Sequence, residues 1–265
     1  MNKNQSIVKD IHSELDKRNI TIHQVGIKDI RYPLQVKNRS GEIQHTVAQV
    51  NMYVGLAQHL KGAHMSRFVT VLNQYQDPIT LNSFQNMPQE MKKHLQADSG
   101  YIEMEFPYFI NKQSPISTQQ SLLDYQVSLI GESYPDQERT IVKVVIPITS
   151  LCPCSKEISD YGAHNQRSYV TVQVQIKEPF WIEDIVEIVE QEASCEIYSL
   201  LKRSDEKYIT ERAYNNPKFV EDIVRDIAAQ FNLHEKISAY TVEVENIESI
   251  HNHSAYAKID RLSPI

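Results

Sequence analysis

Glycine is scarce in this chain, 7 residues of 265, and so is cysteine, with 3. There is no Walker A loop and no GxGxxG turn, so any nucleotide must be held by side chains and not by a glycine-rich cradle of backbone amides. Three cysteines are an odd number and too few for a disulfide framework; in a reducing compartment they read as metal ligands, nucleophiles or buried thiols. No apolar run approaches the roughly 18–20 residues that span a bilayer, and the opening MNKNQSIVKDIHSEL has no signal-peptide core. A cytoplasmic protein without a membrane partner is expected. Positive charge is also in deficit: 27 Lys and Arg against 34 Asp and Glu leave a net charge of −7, which argues against nucleic acid as a partner. One small anionic substrate stays compatible, because a local group of Lys and Arg can form inside an acidic protein.

The length is enough for a large core in one or two domains. Ile7, Val8, Ile11 and Leu15 space as a short amphipathic helix in a polar N-terminal extension, residues 1–22. The same order of elements then runs twice. In the first pass, 23–134, a strand carries Ile30, Tyr32, Leu34 and Val36, with Pro33 favouring a sheet edge. NRSG (38–41) turns into a second strand with Ala48, Val50, Met52 and Val54 on one face. A helix follows Ser66, another carries Phe84, Met87, Met91 and Leu95 with a bend or restart at Pro88, and two strands close the unit. SYPDQE (133–138) marks the boundary. In the second pass, 135–265, Val142, Val144 and Ile146 form a strand, and Val170, Val172, Val174 and Ile176 alternate with Thr171, Gln173 and Gln175. Helices follow around Ile182–Val189 and Val220–Phe231, then strands at Tyr240–Val244 and Ala255–Ile259. The order ββααββ, repeated, predicts an α+β protein with antiparallel sheets. Two such units leave a bare sheet face, so a homo-oligomer with sites between subunits is expected.

SLCPCSKEISDYGAHNQRSY (150–169) puts Cys152 and Cys154 two apart and His164 about a dozen residues on. Cys-Pro-Cys is not the CxxC of a zinc knuckle. Pro153 turns the two thiols in different directions, so one cysteine is expected at a site and the other packed or spare. Thiolate and imidazole suit zinc or ferrous iron, but two ligands are not a site, and two structural thiols in a loop remain the alternative. Residues 202–222 are dense in charge, and on composition alone they read equally as a solvated loop between helices. Glu206 there is a candidate third ligand or proton acceptor. Glu221 lies near the start of the last helix, where the dipole alone accounts for a carboxylate; it could also accept two N–H donors from a guanine-like edge. Glu248, His251 and His253 follow, the histidines two apart and on one face if the segment is a strand, a set suited to proton transfer near neutral pH. Lys156, Arg167, Lys202, Arg203 and Arg212 are the cations available for a triphosphate. Cys195, in EASCEIYSL, reads as a buried thiol on a helix.

Three segments together, PITSLCPCSKEISDYGAHNQRS (147–168), LLKRSDEKYITERAYNNPKFVEDIVRD (200–226) and IESIHNHSAYA (247–257), closely resemble the signature of GTP cyclohydrolase type IB. GAHMSRF (62–68) also fits, and the resemblance covers nearly the whole chain. It implies a tunnelling fold (T-fold) of tandem ββααββ modules assembled as a homotetramer. It also implies conversion of GTP to 7,8-dihydroneopterin triphosphate and formate, at one divalent metal per site (zinc, manganese or iron). Carried over by motif, Cys152, His164 and Glu206 are the metal ligands and Cys152 the catalytic cysteine. Glu221 becomes the guanine anchor, and Lys156, Arg167 and Arg203 stay the leading cations for the triphosphate. His251, His253 and Glu248 are further site residues, and Cys154 either backs a metal ligand or is structural. The rivals are a T-fold nitrile reductase, with Cys152 as nucleophile and no metal, and a non-catalytic metal- or purine-binding module.

Overall fold

A computed structural model describes residues 11–262 except 13 and 179. Nine strands and six helices follow in the order β1 (Ile22–Lys37), β2 (Ile43–Leu56), α1 (Met65–Gln74), α2 (Leu81–Leu95), β3 (Gly100–Gln113), β4 (Gln120–Ser133), β5 (Glu138–Leu151), α3 (Pro153–Ile158), β6 (Asn165–Ile176), α4 (Ile182–Gln191), β7 (Cys195–Glu196), α5 (Arg203–Asn215), α6 (Val220–Leu233), β8 (Ile237–Ile247) and β9 (Ser254–Asp260). Among the described residues the strands form one sheet, order β1-β2-β3-β4-β5-β6-β8-β9, with the two-residue β7 beside β5. Every pairing is antiparallel. The architecture is α+β, as the repeated hairpins and grouped helices predict. The turn at 133–138 is a hairpin, closed by a hydrogen bond from the Tyr134 N–H to the Gln137 carbonyl (2.8 Å), so the sheet continues straight through it. Pro33 sits in β1, at an open edge, where its missing N–H breaks no ladder.

Strand alternation sets the layers. Val50, Met104, Leu129, Val142, Val174 and Tyr240 lie in register on one face and are buried beneath α1, α2, α4 and α6 as a single core. Each such side chain contributes about 1.5–3 kcal/mol of burial, and a one-residue slip would turn the whole set to the other side. The opposite face carries Gln49, Asn51, Glu103, Glu105, Ser128, Lys143, Thr171, Gln173 and Glu243. Helix α2 runs unbroken through Pro88, contrary to the expected bend or restart. It packs tightly over Gly131, where a Cβ would stand 2.6 Å from the Pro88 ring and 3.2 Å from Phe84. Packing on both sides of Pro88 holds the helix through the lost hydrogen bond.

Two further expectations change. The described residues among 11–20 are not helical: Ile11 and Leu15 are exposed, and the segment pairs with 59–62 through hydrogen bonds from the Asp16 N–H to the His59 carbonyl (3.0 Å) and from the Lys61 N–H to the Glu14 carbonyl (3.2 Å); Ile7 and Val8 lie outside the described residues. The charged stretch at 202–222 is mostly helix, α5, and not a loop. It lacks an apolar stripe, burying only Asp205 and Ala213, and its start is set by capping: the Asp205 carboxylate accepts the Lys202 N–H at 2.8 Å. Among the described residues no helix is long and apolar enough to cross a membrane.

Asp205 also latches the two halves of the chain together. Fully buried, it accepts the N–H groups of Ile116 (2.9 Å) and Ser117 (2.8 Å) and the Ser117 hydroxyl (2.5 Å) from the β3–β4 connection. Burial works to raise its pKa, but the Ser117 and backbone hydrogen bonds outweigh it and hold the carboxyl well below its usual 3.8. A depressed carboxylate stabilises the fold above its unfolded pKa, and that contribution is lost as pH falls through the folded value. Asp205→Asn is therefore expected to lower the melting temperature at pH 7. In thermal melts the gap to wild type should stay constant down to about pH 4 and narrow below it; a gap that widened in acid would contradict this assignment.

Candidate active site

The reversal from β5 to β6 is built to bring a thiol and an imidazole together. β5 ends at Leu151, and Cys152 becomes the N-cap of α3 with Pro153 at its first position, where a missing N–H costs nothing. The Ser155 N–H reaches the Cys152 Sγ at 3.5 Å, and the Ser155 hydroxyl donates to the Cys152 carbonyl at 3.1 Å. The same hydroxyl oxygen accepts the His164 N–H at 3.2 Å. The Cys152 N–H then donates to the His164 carbonyl at 3.1 Å, closing the loop at its base. Gly162, φ +122°, supplies the backbone that returns the chain to β6, a conformation other residues rarely adopt. The loop expected between the strands thus contains a short helix.

These residues open onto a cavity of about 400 Å³ whose lining includes Cys152, His164, Asn246, Glu248, His251 and Glu221. Glu221 is the second residue of α6. The neighbouring Asp222 carboxylate takes the Phe219 N–H at 2.9 Å and does the capping, so Glu221 is not needed for it. Among the described residues no hydrogen bond or ion pair occupies the Glu221 carboxylate, which stands in the positive field of the helix end. The approach to α6 is pinned by the Lys218 N–H on the Leu151 carbonyl (3.1 Å), while its ammonium contacts Asp226 and Glu192 at 2.9 and 3.3 Å. His251 and His253 lie in the loop between β8 and β9, not on a strand; their rings stack at 5.0 Å, and only His251 reaches the cavity. The same loop touches the site through the Ser249 hydroxyl, 3.3 Å from His164 Nδ1.

Other expected site residues lie apart from the cavity in the single chain. Glu206 is exposed on the first turn of α5. The Lys156 ammonium sits over the Tyr214 ring at 4.4 Å and donates to the Tyr214 carbonyl at 2.5 Å, neutralising the C-terminal end of α5. Arg167 and Arg203 are exposed, and Arg212 is paired with Glu196 at 2.6 Å. Among the described residues no three His, Cys, Asp or Glu side chains converge as a metal-binding group. Cys152 and His164 nonetheless match a thiophilic cation: a half-buried thiol with one weak contact, and an imidazole anchored through Nδ1.

Of four residues that the spacing of motifs did not single out, Gln166 and Asn246 line the cavity, and Ser150 and Ser168 lie behind Gln166. On the core face, the apolar rows of β5, β6 and β8 turn polar at one end: Ser150 follows Ile148, Gln166 and Ser168 precede Val170, and Asn246 follows Val244. All four are buried, with Ser150 and Ser168 fully so. Gln166 donates from Nε2 to the Ser150 hydroxyl (2.9 Å), which is 2.8 Å from that of Ser168. Asn246 Oδ1 has no hydrogen-bond partner. Polar side chains on an inward parity are a signal that the sequence carries.

A sequence profile described as type I GTP cyclohydrolase folE2 matches residues 8–257. A GTP cyclohydrolase FolE2 of Nitrosococcus oceani is 63% identical over 254 residues, covering 96% of this chain and 95% of that protein. GTP cyclohydrolase FolE2 2 of Dechloromonas aromatica is 56% identical, covering 98% and 97%. Among solved structures, uricase from Arthrobacter globiformis superposes with a TM-score of 0.53 at 9% identity, over 92% of this chain and 95% of that one. At that identity the likeness speaks for the fold alone, which is the tunnelling fold.

The three thiols differ in environment. Cys154 is exposed, not packed, and Cys152 is half-buried. Cys195 is buried as expected but lies in β7 beside β5, not on a helix; burial, then the adjacent Glu196 carboxylate, pushes its pKa to about 12. Its thiolate fraction near neutral pH is thus about 10³-fold below that of a free cysteine. Iodoacetamide on the native protein is expected to label Cys154 and Cys152 and spare Cys195 in peptide mass spectra, with all three labelled after denaturation. Native labelling of Cys195 at the rate of Cys154 would refute the buried placement.

Proposed function

Because the chain belongs to the type I GTP cyclohydrolase folE2 family, we propose that it hydrolyses GTP to 7,8-dihydroneopterin triphosphate and formate, the first step of tetrahydrofolate biosynthesis. The supporting observation is a single cavity holding both the Cys152–His164 pair and, at the start of α6, the unoccupied carboxylate of Glu221. The carboxylate is matched to the N1–H and N2–H donors of guanine, and the thiol and imidazole are matched to one divalent cation, zinc, manganese or iron. Cys152 and His164 would hold such a cation, which would supply Lewis acidity toward water beside the purine C8. Glu221 fixes the base against rotation. His251 is suited to protonate the imidazole-ring nitrogen as the C8 bond opens, and Glu248 to accept protons from water. Glu206 is the third ligand in this reading; it lies outside the cavity in one chain, and an oligomer offers a route to it. The open edges at β1 and β9 and the polar sheet face favour such an assembly, a homotetramer of duplicated modules 23–134 and 135–265 behind the extension 1–22. Free thiols and the acidic composition suit the cytoplasm.

The first test is formate and pterin release from GTP. Metal-free protein is expected to be inactive, Mn²⁺, Zn²⁺ or Fe²⁺ added anaerobically to restore turnover, and Cys152→Ala to abolish it. Turnover unaffected by chelation, or none with any metal in a folded protein, would sink the reading. Glu221→Gln is expected to lower kcat/KM by about 10- to 100-fold, the worth of charge-assisted hydrogen bonds, and to erase the preference for GTP over inosine triphosphate, which lacks the 2-amino group.

A further inference from the structure

We propose that Gln166 is a positioning residue that fixes the tautomer of His164. Its Oε1 lies 3.0 Å from His164 Nδ1. A carboxamide oxygen only accepts, so Nδ1 must carry the proton, and Nε2 is left as the nitrogen with a free lone pair on a side chain that lines the cavity. The carboxamide is held from behind, where Nε2 of Gln166 donates to the Ser150 hydroxyl at 2.9 Å and that hydroxyl pairs with Ser168 at 2.8 Å. The Ser249 hydroxyl, 3.3 Å from the same Nδ1, completes a forked acceptor pair.

The relay stands out for its setting. Gln166, Ser150 and Ser168 occupy inward positions of β5 and β6 that a valine or isoleucine would fill at less cost, since the neighbouring rows are apolar. Burying three polar side chains there is uneconomical for stability unless each is hydrogen-bonded, and each is. The chain ends on an imidazole in the cavity and not on a structural group. An outer-shell acceptor of this kind raises the basicity of the opposite nitrogen and holds the ring plane. The consequence for metal binding rests on the cyclohydrolase reading above; the tautomer assignment does not.

The test uses the full-length protein with ¹⁵N-labelled histidine rings, the His164 signals being identified by their loss in His164→Gln. Long-range ¹H–¹⁵N correlation is expected to show the Nδ1–H form of His164 in wild type and in Gln166→Glu, whose carboxylate keeps the acceptor. Gln166→Leu, which removes it, should give the Nε2–H form or a mixture. Competition against a chelator should show Zn²⁺ binding weakened about 10- to 100-fold in Gln166→Leu and retained in Gln166→Glu. An Nε2–H His164 in the wild-type protein, or a Gln166→Leu protein with unchanged tautomer and zinc affinity, would overturn the proposal. The wild-type spectrum decides the matter even if Gln166→Leu fails to fold. A wild type that shows the Nδ1–H form but releases no formate from GTP would remove the cyclohydrolase reading and leave the Gln166 assignment standing.

Discussion

A sheet whose helices cover only one of its faces governs the rest of this molecule. The apolar row from Val50 to Tyr240 is covered by helices inserted between hairpins, and the other face mixes Gln, Glu, Lys and Thr with apolar side chains, Val47, Phe109, Leu122, Tyr169 and Tyr256 among them exposed. Among the described residues β1 and β9 end the strand order, and a bridge at Val36–Ile79 covers part of the β1 edge. Edges without a strand partner are a liability for a monomer.

The same one-sidedness explains where the site lies. A core face must stop being apolar where it meets solvent. On β5, β6 and β8 it stops at the same end, so Ser150, Gln166, Ser168 and Asn246 form a polar floor under the reversal at 152–164. Above that floor the start of α6 adds a positive field, and the β8–β9 loop adds carboxylate and imidazole. The cavity is therefore a product of strand register as much as of the Cys-Pro-Cys motif, which by spacing alone would fit a loop with spare thiols equally well.

Much of this was legible in the sequence, and the failures have physical causes. Period-two alternation located the longer strands because each has one buried face. Helices α1, α2, α4 and α6 were visible because each presents an apolar stripe to the sheet. Helix α5 was read as a loop because it has no stripe: caps and ion pairs hold it, and only Asp205 and Ala213 are buried. The described part of the N-terminal stripe, Ile11 and Leu15, is not helical, because the backbone of that segment pairs with residues 59–62. Two histidines two residues apart suggested one strand face, whereas the hairpin loop stacks them by ring contact. Cys152, His164, Glu221, Glu248 and His251 line one cavity. Gln166 and Asn246 carry no motif signal, because carboxamides do not titrate and are not ligands typical of zinc or iron.

The placement of the cations follows from competition within the fold. A lysine or arginine can serve an anionic substrate only if no internal acceptor holds it more firmly. Lys156 is committed to the Tyr214 carbonyl and ring, Lys218 to Asp226 and Glu192, and Arg212 to Glu196. Arg167 and Arg203 are exposed and carry no such commitment among the described residues. Yet Arg167 points away from the cavity, because it alternates with Gln166 along β6 and Gln166 faces inward. Its guanidinium belongs to the polar face of the sheet. Within one chain, a base bound on Glu221 would leave that charge on the other side of the sheet.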